Sequence, residues 1–410
     1  MKLSIIICVY NTPKSLLKSC LDSITNSTLF AEKSHTGAEI VVIDDGSDVD
    51  YSSLFAEYGV KYTKTENRGI FEARALGVTQ ALGEYVAFVD SDDTVSFNYH
   101  LPMLNLALER NLDVVINDWA YHTESSRYYT DADSTIVNDV SLEGDKIIDA
   151  FLRQAGREHS FYVLWNKLYK RELLSSAIEM ARAAAVNIER YNYAEDVLIN
   201  FYAHLNAKRL SNLHTGYYFY RIHPTQTVSV TNEEKLKLQI DLMSFTLATM
   251  EAEVNKLSNP DLSLYLKSWR SFISRSHYTH AKSGRFKSLY PYIKEKYGVE
   301  RLKRSTYADE ICGMRCVPLP DNFSDIDTAL MESYKEGTLP NCEGINLRYV
   351  TNTLRYFNSL GFSQNDNAKT LPKPKIPFKK KVRFNKLLMR VARILFPKGS
   401  RIRAYLKRYM

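Results

Sequence analysis

Short apolar runs alternate with helix-period segments over the first 110 residues. Leu3 to Val9 reads as a buried strand, broken by Tyr10-Asn11-Thr12-Pro13. Pro13 suits the first turn of a helix in which Leu16, Leu17, Cys20, Leu21 and Ile24 recur at helical spacing. Glu39 to Ile43 is a second strand, Tyr51 to Tyr58 a short helix, and Val60 to Thr63 a third strand. Ile70 to Ala81 is a helix carrying Arg74, and Tyr85 to Val89, after Gly83, is a fully buried fourth strand. This β-α-β series predicts a mostly parallel, Rossmann-like α/β sheet flanked by helices, with right-handed crossovers. Each strand ends in polar, small or acidic residues, as a ligand-binding sheet edge requires.

Further along, Leu101 to Arg110 is helical, Asp113 to Asn117 a short strand, and the Tyr-rich residues 118–140 a hairpin or loop over the site. Asp145 to Gln154 and Val197 to His204 have helical spacing, and Tyr217 to Tyr220 reads as a strand. From about 233 to 283 the pattern is long and helical, interrupted by Asn259-Pro260. Residues 284–366 suggest short helices joined by polar loops, and Pro372, Pro374 and Pro377 mark a linker. The pattern divides the chain into an α/β unit (1–230), a mainly helical accessory region (231–370) and a C-terminal tail (371–410).

Composition changes this picture mainly through charge. Net charge is +7, yet residues 371–410 hold 14 Lys or Arg and no acid, so the first 370 residues carry 40 basic against 47 acidic side chains. In the tail, Phe384, Leu387, Leu388, Val391, Ile394 and Leu395 share one helical face, and Ile402, Tyr405, Leu406 and Tyr409 share another. Two basic amphipathic helices in tandem suit the surface of an anionic membrane. A solvated or RNA-binding arm, or helices docked on another subunit, are the alternatives. The first ten residues read as a strand rather than a secretory signal, and no apolar run approaches the roughly 18 residues of a membrane span. The five cysteines show no framework spacing and are expected to be reduced thiols. A cytoplasmic protein, peripheral on the inner face of the membrane, is expected.

The chemistry-bearing stretch is Asp90-Ser91-Asp92-Asp93, directly after the fourth strand. Three carboxylates at a sheet's carboxyl edge ask for a cation, and hard oxygen ligands suit Mg²⁺ or Mn²⁺ shared with a diphosphate. The alternative is an acidic turn that caps the next helix through Asp93 or Thr94. Glu195 and Asp196 sit near a helix N-terminus, where capping alone would also account for them.

Seven short motifs follow one another in one order: Val9-Tyr10-Asn11, Val42 to Ser47, Asn67-Arg68-Gly69 with Ala73-Arg74, Gly83 through Asp93, Asn166-Lys167-Leu168-Tyr169, Glu195-Asp196 and Tyr220-Arg221-Ile222-His223. Over about residues 1–230 the chain thereby resembles the family 2 glycosyltransferases, inverting enzymes of GT-A fold that use nucleotide-sugar donors. Cys8-Val9 stands where the family has Pro before Tyr-Asn, which leaves Val9 as a backbone contact. The resemblance implies that Asp92 ligates the metal, with Asp90 and Ser91 beside it and Asp93 in support. It implies that Asp45 reads a uracil edge, that Tyr10 packs on the base, and that Asn67 and Arg74 line the nucleotide pocket. Asp196 matches the catalytic base, with Glu195 the next candidate, and His223 matches a residue that closes over the pyrophosphate and in some members binds the metal.

Residue chemistry agrees with such a reaction. Inversion needs one carboxylate to take the acceptor hydroxyl's proton, and the departing diphosphate needs cationic charge. The expected partners are a UDP-type sugar donor, a glycan or lipid-linked acceptor of a bacterial surface polysaccharide, and an anionic membrane, but no nucleic acid. A nucleotidyltransferase would show a Gly-rich basic loop near residue 10, where Tyr10-Asn11-Thr12-Pro13 stands. A catalytically silent carbohydrate- or membrane-binding scaffold has no reason to keep Asp45, Asp92 and Asp196 together.

Overall fold

The continuous apolar run at the start of the chain becomes strand β1 (Leu3–Val9), whose side chains alternate between two cores. Ile6 faces one core, while Leu3, Ile5, Ile7 and Val9 face the other. A strand covered on both faces needs no polar alternation, which is why it reads as a block. The computed structural model describes residues 1–31, 37–122, 127–131, 141–155, 159–221, 232–257, 259–284, 286–299 and 315–319.

After β1 come α1 (Lys14–Thr25), the short α2 (Thr28–Ala31), β2 (Ala38–Asp44), α3 (Ser52–Tyr58), β3 (Lys61–Lys64), α4 (Ile70–Gln80) and β4 (Tyr85–Phe88). β1 pairs in parallel with β2 and β4, and β2 with β3. The predicted βαβ series is therefore present, with the ends of β1, β2 and β4 side by side. Helix α4 lies close on the sheet at Gly77, where a Cβ would sit 2.5 Å from Ile6 Cγ2.

Next come β5 (Thr94–Val95), α5 (His100–Arg110), β6 (Val114–His122), β7 (Arg127–Asp131), β8 (Ser141–Glu143), α6 (Asp145–Ala155), α7 (His159–Tyr162), β9 (Lys167–Lys170) and α8 (Arg171–Ala184). α9 (Glu195–Asn206), β10 (Arg209–Arg221), α10 (Glu233–Val254), α11 (Pro260–Ser283), α12 (Leu289–Tyr297) and β11 (Arg315–Leu319) complete the described elements. The strand order is β11-β7-β6-β9-β4-β1-β2-β3, with β10 joined to β6, β5 and β8. Beyond β4 the sheet is mixed, because β9 runs antiparallel to both β4 and β6. Arg171, immediately after β9, donates from its backbone N and Nε to the carbonyls of Glu84 and Gly83, so β9 must end where β4 begins.

Residues 118–140 begin with a hairpin, as expected: β6 runs on to His122 and β7 returns beside it. β10 is far longer than Tyr217 to Tyr220. Its first half, with Ser211, Asn212, His214 and Thr215, is buried but polar, and the register breaks between Asn212 and Tyr217. The two helices flanking Asn259-Pro260 are present, and Trp269 of α11 meets Phe151 of α6 at 6.0 Å. α10 and α11 thus share the core that α4, α8 and α9 build on the sheet. Of the segment 284–366, expected to hold short helices and loops, α12 is such a helix, but Arg315–Leu319 is a strand that pairs with β7; residues 300–314 and 320–366, the linker and the basic tail lie outside the described residues.

Candidate active site

The ends of β1 and β2 are tied together first. Asp45 N donates to the Val9 carbonyl (2.8 Å), and Asn11, in the left-handed region at φ 51°, exchanges hydrogen bonds with Asp48 and donates from its backbone to Ser47 Oγ. The adjacent carboxylates Asp44 and Asp45 then separate. Asp44 is fully buried and accepts from Ser47 N and Tyr62 Oη. Asp45 accepts from the backbone N–H groups of Arg68 (2.7 Å) and Gly69 (2.8 Å), and so holds the Asn67-Arg68-Gly69 loop. Each of its oxygens keeps a second lone pair for another donor. Gly69 has to be glycine: at φ +95° an added Cβ would lie 2.1 Å from Asn192 Oδ1. Tyr10 stands beside this loop system with its side chain exposed.

The acidic run after β4 is a turn, closed by Asp93 N to the Asp90 carbonyl (3.0 Å). No helix starts here; β5 follows, so capping of a next helix is not what Asp93 does. Asp93 is buried and accepts from Tyr218 Oη (2.7 Å) and Arg221 N (2.7 Å), both from the end of β10. Burial and the neighbours Asp92 and Asp90 raise its carboxyl above the usual range. Ser91 Oγ bonds Thr12 Oγ1 at 2.7 Å, joining the turn to the β1 loop. Asp92 is only partly buried, and its carbonyl accepts from Arg221 Nε (2.8 Å).

Arg74, 7% exposed on α4, joins this turn to α9. Its Nη1 bonds Glu195 Oε1 and its Nη2 lies 3.5 Å from Asp90 Oδ1. Burial would lower the guanidinium's pKa, but Glu195, Asp90 and Asp196 around it raise it. Burial pushes the Glu195 carboxyl up to about 7 and that of Asp90 up to about 6, in both cases against the pull of Arg74. Asp196 is also raised by burial, with Arg74 and Lys167 opposing. Cys8 lies within the same electrostatic neighbourhood, and burial lifts its thiol to about 12.

The start of α9 is set by a backbone exception. Ala194 takes φ 63°, a conformation that costs a non-glycine residue about 1 kcal/mol or more and that turns Glu195 and Asp196 into the site. Asp196 Oδ1 accepts from Val197 N (2.8 Å), and the Asp196 carbonyl accepts from Asn200 Nδ2 (3.1 Å). Asn200 Oδ1 in turn receives Tyr169 Oη from β9 (2.5 Å). Lys167, also on β9 and buried, donates to the Val163 carbonyl and Asn166 Oδ1, and burial pulls its ammonium well below its usual range. The Asn166-Lys167-Leu168-Tyr169 motif therefore underpins the candidate base, a role that its spacing alone did not suggest.

The fold thus gathers Arg74, Asp90, Glu195 and Asp196 into one group, Arg74 and Glu195 buried and Asp90 and Asp196 partly exposed, with Ser91 and Asp92 on the adjoining turn. Val9, Tyr10, Asp45 and Asn67 stand at the neighbouring strand ends, and Arg190 Nη2 ties the Asn67 carbonyl to the loop before α9 (2.9 Å). His223 lies outside the described residues. Two residues are additions: the buried Lys167, which the sequence named only within a motif, and Tyr218, which it named only within a strand. Among the described residues no cluster of three or more His, Cys, Asp or Glu is placed to hold a metal. Asp93 spends both oxygens on β10 and Asp90 faces Arg74, which leaves the partly exposed Asp92 as the suitable carboxylate. One carboxylate fits Mg²⁺ or Mn²⁺ when diphosphate oxygens and water complete the shell.

The description "Glycosyl transferase family 2" matches residues 4–177 of the chain. EpsH of Bacillus subtilis is 30% identical over 259 residues, which cover 62% of this chain and 70% of EpsH. The cholesterol galactosyltransferase of Borreliella burgdorferi is 28% identical over 285 residues, covering 66% of this chain and 73% of that protein. The glycosyltransferase GlyA of Streptococcus pneumoniae is 26% identical over 254 residues, and the chain spans only 34% of its length. Among solved structures, S. aureus TarS 1-349 in complex with UDP-GlcNAc superposes with a TM-score of 0.50 at 18% identity, over 92% of this chain and 100% of that one. That likeness shows the GT-A type of fold.

Proposed function

We propose, for a chain that belongs to glycosyl transferase family 2 and is a glycosyltransferase, that it moves a sugar with inversion from a UDP-sugar to a hydroxyl of a bacterial surface glycan, such as a capsule, lipopolysaccharide or teichoic acid. The observation that carries this reading is the convergence of Asp45, the Asp90–Asp93 turn, Arg74 and Asp196 at the carboxyl edge of the parallel strands.

Asp45 fixes the Asn67-Arg68-Gly69 loop and offers its remaining lone pairs to the ring N–H of a uracil, over which Tyr10 packs. Asp196 accepts the proton of the acceptor hydroxyl. That oxygen then bonds to the anomeric carbon from one face as the carbon–phosphate-oxygen bond breaks on the other, and the nucleoside diphosphate departs. The proton leaves Asp196 for water. Glu195 is buried and held by Arg74, which favours the more exposed Asp196 as the base. Asp92, and His223 from the segment beyond Arg221, would hold a divalent cation, Mn²⁺ or Mg²⁺, which would supply positive charge to the leaving diphosphate.

The basic tail is proposed to hold the enzyme at the inner face of an anionic membrane, where a lipid-linked acceptor is presented. Among the described residues no helix is long and apolar enough to cross a membrane.

A hydrolysis screen of nucleotide sugars with Mn²⁺ tests the donor. Turnover of a UDP-sugar that disappears in Asp196→Asn supports the reading; release from every nucleotide sugar equally, or from none, overturns it.

A further inference from the structure

One phenol brackets the acidic turn. Tyr218 Oη accepts from Asp90 N (2.9 Å) and donates to Asp93 Oδ2 (2.7 Å), so a single hydroxyl spans both ends of the four-residue turn. Three positions along β10, Arg221 adds two more bonds, from its backbone N to Asp93 Oδ1 and from Nε to the Asp92 carbonyl. The ring of Tyr218 is fully buried and stacked on Trp165, with centroids 4.4 Å apart and planes at 19°. A phenol so packed has one place for its oxygen. β5 pairs with β10 at Tyr218 and Phe219, which fixes the strand itself beside the turn.

We infer that Tyr218 and Arg221 are positioning residues that hold the Asp90–Asp93 backbone in the one shape that presents Asp92 to a divalent cation and a nucleoside diphosphate. They touch neither reacting atom. Their effect reaches the ligand through the peptide groups of the turn, and a turn freed to sample other shapes meets the ordering cost at each binding event. The inference rests on the reading of Asp92 as the cation's carboxylate.

The test is calorimetry of UDP binding to the full chain, with and without Mn²⁺, for the wild type, Tyr218→Phe and Arg221→Gln. The first substitution keeps the stacked ring and removes only the hydroxyl; the second lies at a partly exposed position and spares the core. In each variant the gain in UDP affinity that Mn²⁺ brings should shrink about tenfold, the scale of one hydrogen bond to a charged group, while affinity without metal stays within twofold. Backbone amide exchange should quicken at Asp90 and Asp93 in Tyr218→Phe. An undiminished metal gain, even with a lowered melting temperature, makes both residues merely structural and overturns the proposal. A wild type without any metal gain instead sinks the reading of Asp92. The bracket is then judged by amide exchange alone, where unchanged rates overturn it.

Discussion

Arg74 and Glu195 form a buried ion pair across 121 positions of chain, and this contact joins the helix behind the Asn67-Arg68-Gly69 loop to the helix whose first turn holds the candidate base. Asp90 completes the arrangement at 3.5 Å from the same guanidinium. One cation thus serves three carboxylates, counting Asp196 within its field.

Removing that cation should be costly. Arg74→Met leaves the buried carboxyl of Glu195 without its partner, and stability should fall by about 3–5 kcal/mol, measured by denaturant unfolding. A loss below about 1 kcal/mol would mean the group is far wetter than its burial indicates.

The pH dependence follows from the same group. As the proposed base Asp196 has to be ionised, and burial raises its carboxyl, so the acid limb of kcat/KM should lie above the ordinary carboxylate range. Arg74 opposes that rise, so Arg74→Lys, which weakens the contact without deleting the charge, should move the limb to higher pH. Stability has the opposite sign. Glu195 holds its proton more tightly folded than unfolded, so its contribution declines as pH rises from the usual 4.5 through about 7. Urea titrations at several pH values check this, and Glu195→Gln should remove that part of the slope.

Asp196→Asn keeps size and hydrogen bonding to Val197 N but cannot take the proton. Turnover should drop by about 10²–10⁴ while UDP affinity stays nearly constant. Near-normal transfer by this variant would move the base to Glu195.

Gly69→Ala places a methyl against Asn192 at a positive φ and should cost at least about 2 kcal/mol together with UDP affinity. Gly59→Ala is the milder comparison: it lies in the left-handed helical region at φ 60°, ψ 33°, with nothing within 4 Å, so it should cost about 1 kcal/mol and leave binding unchanged. Equal effects at the two sites would mean that neither the Asn192 contact nor the more extended positive-φ backbone of Gly69 adds to the cost.

Truncation after Leu371 should abolish co-sedimentation with anionic vesicles and retain donor hydrolysis. The full chain should be released only in part by high salt, because its apolar faces hold independently of charge. Complete release by salt would reduce the tail to a charged arm.

The parallel strands were legible because burial on both faces writes itself as apolar blocks, in Leu3–Val9 and Tyr85–Val89 alike. Arg74, Glu195 and Asp196 were legible through their places on helices and in ordered motifs. The direction of β9 was not, since it depends on Arg171 reaching Gly83 and Glu84, more than eighty positions away. The first half of β10 was hidden for a different reason: Ser211, Asn212, His214 and Thr215 are buried but polar, and His214 pairs with Asp118 of β6 at 2.8 Å, so no hydrophobic alternation marks it. Tyr218 and Lys167 act through contacts that no local spacing encodes.

Helix α9 and strand β10 are consecutive, and Asp196 lies in the first turn of the one while Tyr218 and Arg221 close the other. Recombination between relatives therefore has a natural unit here. A chimera with a relative should carry residues 195–221 as an uncut block, together with the aspartate turn that β10 grips. A crossover inside that block would pair one parent's proposed base with the other parent's hold on the acidic turn, and the two would no longer be built to the same spacing.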